Sequence, residues 1–113
     1  EIITDAPTDN HGKGEAFSPT DLLATSLASC MLTIMGIKAR DMDIDIAGTT
    51  AEVTKIMSAD PRRVSEVHVA ITFSKQLDDK TQKIFYNTAL TCPVAKSIHP
   101  DIIQRVTINS KSY

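Results

Sequence analysis

Two cysteines, Cys30 and Cys92, are the residues in this chain with the clearest capacity for covalent chemistry. A thiolate can attack an oxidant, a disulfide or an electrophilic carbon, and two thiols can exchange between dithiol and disulfide. They lie 62 positions apart, which gives neither a CxxC redox motif nor a zinc-ligand spacing. The three histidines, His11, His68 and His99, stand alone in the sequence and show no ligand pattern, so no metal site is expected. A structural disulfide is disfavoured if the protein is cytosolic, which leaves inert core thiols or a reactive pair.

Cys30 lies in an unusual stretch, Ser18 to Arg40, SPTDLLATSLASCMLTIMGIKAR. Ser18 suits a helix cap, Pro19 the first helical position, and Asp21 the acid of a capping box. No charge occurs from Leu22 to Ile37. Leu22, Leu23, Leu27, Met31, Ile34 and Met35 form a helical stripe, and the remaining faces carry Ala, Thr, Ser or Gly. Such a helix is expected to be buried all round. The uncharged run spans roughly 24 Å, short of the roughly 30 Å hydrocarbon core, and it contains Thr and Ser. A central core helix is therefore predicted, not a membrane span. In its middle Cys30 reads as a small apolar core residue, because the helix dipole acts at the ends and burial alone quenches a thiol. A cation from elsewhere would be needed to activate it.

Cys92 precedes Pro93 in ALTCPVAKSI, which reads as a new helix start. Free N–H groups and the positive dipole end favour a thiolate there, although a cap with no chemistry is the plainer reading. If the fold brings the two thiols together, they could serve as a peroxidatic and a resolving pair.

The surrounding elements follow from pattern. Glu1–Thr4 reads as a strand that begins mid-element, so a preceding segment is expected. Asp5–Gly14 is turn-rich, and Phe17 could staple the first helical turn. Ile44–Met57 reads as a strand bent at Gly48, with Ala51, Val53 and Met57 on one face and Thr50, Glu52 and Thr54 on the other. Val64–Phe73 alternates Val67, Val69, Ile71 and Phe73 with His68, Ala70 and Thr72, the pattern of a half-buried strand. A second helix runs from Leu77 to about Leu90, with Ile84, Phe85, Thr88 and Ala89 inward and Lys80, Gln82, Lys83 and Asn87 in water. A short helix ends near His99-Pro100, since the residue before proline avoids helix. Val106 and Ile108 lie in a final strand. The fold class is α+β, a mainly antiparallel sheet curled around a buried helix.

The chain's 113 residues suit one domain, 42% hydrophobic and 23% charged, with a formal net charge of −2. With no basic excess and few aromatics, nucleic-acid binding is disfavoured. No signal-peptide or lipidation pattern is seen.

SPTDLLATSLASCM resembles the first cysteine motif of the OsmC/Ohr family, the osmotically inducible and organic-hydroperoxide-resistance proteins, and ALTCPVAKSI resembles the second. Both occur in order, at fitting separation, and the likeness covers nearly the whole chain. The resemblance implies one OsmC-like domain over residues 1–113, lacking its N-terminal strands, in an intertwined homodimer with two packed central helices and interfacial active sites. It also implies a peroxiredoxin-like hydroperoxide reductase of the cytoplasm, active in the oxidative stress response. Cys30 would match the peroxidatic cysteine and Cys92 the resolving cysteine. A hydroperoxide would be the substrate and a dithiol, of the lipoyl type in one branch, the reductant. No cofactor, metal, nucleic acid or membrane partner is implied. The chain departs from the family pattern at two points. Members with strong peroxidase activity carry Glu ten residues before the first cysteine, orienting an Arg from the N-terminal region. Here Thr20 holds that position, and only Lys13, not an Arg, precedes Cys30. These departures place the chain nearer the broader OsmC-like group and keep open a second function, small-molecule binding or redox sensing without efficient turnover.

Overall fold

The computed structural model describes residues 1–113. Its longest element, α1, runs Pro19–Asp41, a 23-residue helix of about 34 Å. The start is closed as the sequence dictates. Ser18 Oγ accepts the Asp21 N–H at 3.0 Å, and the Asp21 carboxylate accepts the Ser18 N–H at 3.0 Å. Lys38 and Arg40 lie in the last turn, where cations complement the helix dipole. By length and composition alone α1 could span a bilayer. Within this chain it packs on α2, β1 and α3 through Ala24, Leu27, Ala28, Met31, Met35 and Ala39, all buried.

Burial on every side, expected from composition, is not met within one chain. Ser26, Ser29, Thr33 and Ile37 are exposed, Ile37 by 55%. One small sheet and two helices have too little surface to enclose a helix about 10–12 Å across.

The sheet is built from β1 (Thr50–Ser58), β2 (Arg63–Thr72) and β3 (Ile103–Ile108), in the order β1-β2-β3. β1 and β2 form an antiparallel hairpin, with Val53 opposite Val69 and a register shift between Ile56 and Met57. β3 joins β2 in parallel, Val106 opposite Val69, so the sheet is mixed and not mainly antiparallel. A crossover between β2 and β3 accounts for this direction, because α2 (Asp79–Ala89) and α3 (Pro93–Ser97) carry the chain back to the start of the sheet. The expected N-terminal strand is absent: residues 1–7 have no regular structure, and Thr8–Asn10 form a short 3-10 turn. β1 also begins later than expected. Gly48, at φ +88°, belongs to the turn ahead of it and not to a bend within it.

One face of β2 supplies Val67, Val69, Ile71 and, just beyond the strand, Phe73 to a continuous core with α1, Phe85, Ala89, Cys92, Val106 and Ile108. The Phe73 and Phe85 rings pack with centroids 5.1 Å apart. Asp78 caps α2 by accepting the Thr81 N–H at 2.8 Å. Gln82, assigned above to the wet face of α2, is instead buried. It donates to the Leu77 carbonyl at 2.7 Å and accepts from the Tyr113 hydroxyl at 3.1 Å, so the C-terminal tail covers it.

Candidate active site

Cys30 sits halfway along α1 and is half-buried, whereas Cys92 has no exposed surface. The fold brings them together. α3 packs on α1, and Cys30 packs against the core cluster that holds Cys92, near enough for the two thiols to act on each other. Both are free. Three local features fix Cys92. The turn out of α2 closes through Thr91 Oγ1 to the Thr88 carbonyl at 2.7 Å and through the Cys92 N–H to the Ala89 carbonyl at 3.3 Å. Pro93 then opens α3, and the Cys92 sulfur accepts the Ala95 N–H at 3.2 Å as a helix cap. Gln104 ties α3 to β3 by donating to the Ala95 carbonyl at 3.0 Å.

The dipole argument made from sequence alone does not decide the chemistry of Cys92. Burial pushes its thiol above the ordinary range, and the N–H groups of Ala95 and Val94 pull the other way without prevailing. The neighbouring Cys30 adds to the upward shift. A five-residue helix has little dipole to set against complete desolvation. Cys92 is thus a protonated thiol beside a more accessible one, suited to give up its proton late.

No cation is among the groups acting on Cys92. Arg62 pairs with Asp9 at 3.5 Å and Arg105 with Glu66 at 2.9 Å, while Arg40 lies exposed at the end of α1 and Lys13 in the exposed N-terminal loop. Arg63 keeps one buried guanidinium nitrogen without a partner. His11 and His99 are exposed, His68 lies on the outer sheet face against Glu66, and no group of three or more metal-binding side chains is gathered.

The sequence reading missed one polar cluster. Lys55 shares the inner face of β1 with Ala51, Val53 and Met57, where an apolar side chain belongs. Its ammonium donates to Thr20 Oγ1 at 2.7 Å and Ser18 Oγ at 3.0 Å, and pairs with Asp21 at 2.9 Å. The signal was available: a lysine at an inward position of an alternating strand, facing a helix start with three side-chain oxygens. Thr20, the position that departs from the resemblance drawn above, therefore has a cation beside it. Along α1 that cation stands about 15 Å from Cys30, so within one chain it serves the helix start and not the thiol. A small cavity of about 200 Å³ lies beside it, lined by Phe17, Asp21, Ala24, Thr25, Val53 and Lys55. Phe17 is 54% exposed at its rim, a looser contact than a closed staple.

A half-buried thiol on a long helix thus lies near a buried one at the cap of a short helix, a proximity that their spacing in the sequence left open. The model of the family described as OsmC-like protein matches residues 12–106. The chain belongs to the OsmC/Ohr family. Among solved structures, one from Psychrobacter arcticus 273-4, named for osmotic stress induction and a detoxification response, is 88% identical, with a TM-score of 0.92, over 95% of this chain and 78% of that one. An organic hydroperoxide resistance protein OsmC from Legionella pneumophila has a TM-score of 0.77 at 16% identity, covering 92% of this chain and 77% of that chain. The organic hydroperoxide resistance protein OhrB of Bacillus subtilis has a TM-score of 0.65 at 18% identity, covering 82% and 70%. At these lower identities the likeness is one of fold: helices and a three-stranded sheet in the family's α+β arrangement. No curated protein sequence matches the chain.

Proposed function

We propose that this chain is a thiol-dependent hydroperoxide reductase in which Cys30 reacts with peroxide and Cys92 resolves it. The observation that carries this reading is the packing of α3 on α1, which sets a half-buried thiol beside a sealed one. A hydroperoxide reaches Cys30 first because Cys92 has no exposed surface. The Cys30 thiolate attacks the distal oxygen, the O–O bond breaks, and the products are a Cys30 sulfenic acid and an alcohol, whose hydroxyl takes the proton that Cys30 released. The Cys92 sulfur then attacks the Cys30 sulfur. The Cys92 proton leaves with the sulfenic oxygen as water, and a disulfide remains. A dithiol reductant, of the lipoyl type or similar, accepts the oxidising equivalents by exchange and restores both thiols. Complete burial suits Cys92 to this order, since its retained proton keeps it unreactive toward peroxide until Cys30 has been oxidised.

A homodimer belongs to the same reading. Leu22, Ser26, Ser29, Thr33, Gly36 and Ile37 form one uncharged band of α1 that this chain leaves open or half-covered, and the Ser, Thr and Gly among them permit close helix approach. A second α1 would cover it and bring partner surface up to the edge where Cys30 lies. Action in the cytoplasm is part of the proposal, because the cycle needs reduced thiols at rest.

One observation favours a second reading, ligand binding or redox sensing without efficient turnover: no cation is among the groups acting on Cys92, and the cation nearest the relevant helix turn is committed to Asp21, Thr20 and Ser18. Peroxide consumption separates the two. With an organic hydroperoxide and excess dihydrolipoamide, the native chain should turn over many equivalents. Cys30→Ser should consume none. Without the dithiol, Cys92→Ser should consume one equivalent per chain, stop, and form no intramolecular disulfide. Consumption by Cys30→Ser at the native rate would contradict the reductase reading.

A further inference from the structure

The outer face of the sheet, away from the thiols, carries a cavity of about 380 Å³ lined by Glu52, Thr54, His68, Val69, Ala70, Arg105 and Thr107. The strand register creates it. Glu52, Ala70 and Thr107 lie in one row across the three strands, and Thr54, His68 and Arg105 in the next. Ala70, the smallest side chain in the centre of that face, leaves the dent.

The charges around this dent are organised. Glu66 accepts from Arg105 Nε at 2.9 Å and from His68 Nε2 at 3.0 Å with the same carboxylate oxygen. His68 and Arg105 hold the Glu66 carboxyl below its ordinary range, so the clamp stays charged. Fixing Arg105 through Nε leaves the two terminal nitrogens of its guanidinium without a partner in the chain, a fork suited to a carboxylate. On the far strand Glu52 has no hydrogen-bond or ion-pair partner. Thr54, on the strand of Glu52, and Thr107, on that of Arg105, stand at the other two corners of the dent.

We infer that this outer-face cavity binds a small zwitterion, its carboxylate on the Arg105 fork and its ammonium on Glu52. Charge balance selects this class over simpler ions. With His68 neutral, Arg105, Glu52 and Glu66 sum to −1, which disfavours a plain anion. A plain cation finds Arg105 beside it. A molecule with both charges matches both poles, and the diagonal across two strands and one row, about 12 Å between backbones before the side chains reach inward, suits a dipeptide with free termini.

The test is an NMR amide titration of the full chain with L-alanyl-L-alanine. N-acetyl-L-alanine serves as the anion-only probe and L-alanine amide as the cation-only probe. Saturable shifts are expected at Thr54, His68, Ala70 and Thr107 with the dipeptide, and both half-charged probes should bind roughly threefold to tenfold more weakly. Glu52→Gln should weaken dipeptide binding by a similar factor and leave the acetylated probe unaffected, and Arg105→Gln should do the converse with the amide. These are exposed positions, and the dispersion of the same spectra reports that each variant is folded. Absence of saturable shifts at concentrations on the order of 10 mM would overturn the inference. Equal binding of the acetylated probe, or unchanged dipeptide affinity in Glu52→Gln, would overturn it as well.

Discussion

Replacing Lys55 with Met tests whether the polar cluster at the start of α1 stabilises the fold or merely occupies it. Met keeps the length and restores an apolar side chain to the inner face of β1. The substitution removes the 2.9 Å ion pair to Asp21 and the hydrogen bonds to Thr20 and Ser18. Ser18 Oγ and the Asp21 carboxylate keep their reciprocal backbone bonds, so the helix cap survives. The Lys55 side chain is 17% exposed and that of Asp21 37%, which screens the pair and discounts its worth. Together the lost contacts are worth about 1–2 kcal/mol near pH 7.

The pH dependence carries a definite sign. The hydrogen bond from Lys55, with help from the Ser18 N–H, lowers the Asp21 carboxyl below its ordinary 3.8. A depressed carboxylate contributes stability above its unfolded value, about 3.9, and loses it as pH falls through the lower folded value. The gap between the native chain and Lys55→Met should therefore be full at pH 7 and shrink below about pH 4. Urea unfolding at neutral pH and again near pH 2.5 measures this, with equal m-values as the check on two-state comparison. Equal or greater stability of Lys55→Met at pH 7 would refute the reasoning and show that desolvation of the lysine outweighs its contacts. A gap undiminished at low pH would refute the role given to Asp21.

Phe85→Ala removes a fully buried ring packed on Phe73 and should cost about 3–5 kcal/mol in chemical denaturation; a loss below about 1 kcal/mol would mean the core is not centred there. Thr33→Arg puts a charge into the uncharged, exposed band of α1 and should turn the proposed dimer into a monomer by light scattering; a native chain that is itself a monomer, or a dimer unchanged by the substitution, would contradict an interface on this band. In folded Cys30→Ser, Cys92 should alkylate at least about tenfold more slowly than in the urea-unfolded chain at pH 8, because burial both hides it and holds its proton; equal rates would contradict the sealed position.

Local chemistry was the most legible part of this sequence. The capping box of Ser18 and Asp21, the proline at the start of α3 and the alternation in β2 are each decided within a few residues, and the structure has them where the sequence put them. Long-range matters were less legible. The parallel seating of β3 depends on where the α2–α3 crossover returns, which no periodicity in β3 encodes. Gln82 looks solvated on a helical wheel and becomes buried only when Tyr113, 31 residues later, folds over it. The wide apolar girth of α1 was visible, but composition does not say whether its cover comes from the same chain. At the site, the types and order of the two cysteines were readable and their proximity was not, since the fold of the 61 residues between them determines it. The upward shift of Cys92 likewise reflects burial that its helix-cap position could not reveal.

The most direct measurement is intact-mass analysis of the reduced protein after one equivalent of an organic hydroperoxide, with peptide mapping under non-reducing conditions. The account predicts rapid loss of about two mass units, the two hydrogens of disulfide formation, and a single new peptide pair joining Cys30 to Cys92. An unchanged mass, with both cysteines still free to alkylate after unfolding, would contradict it.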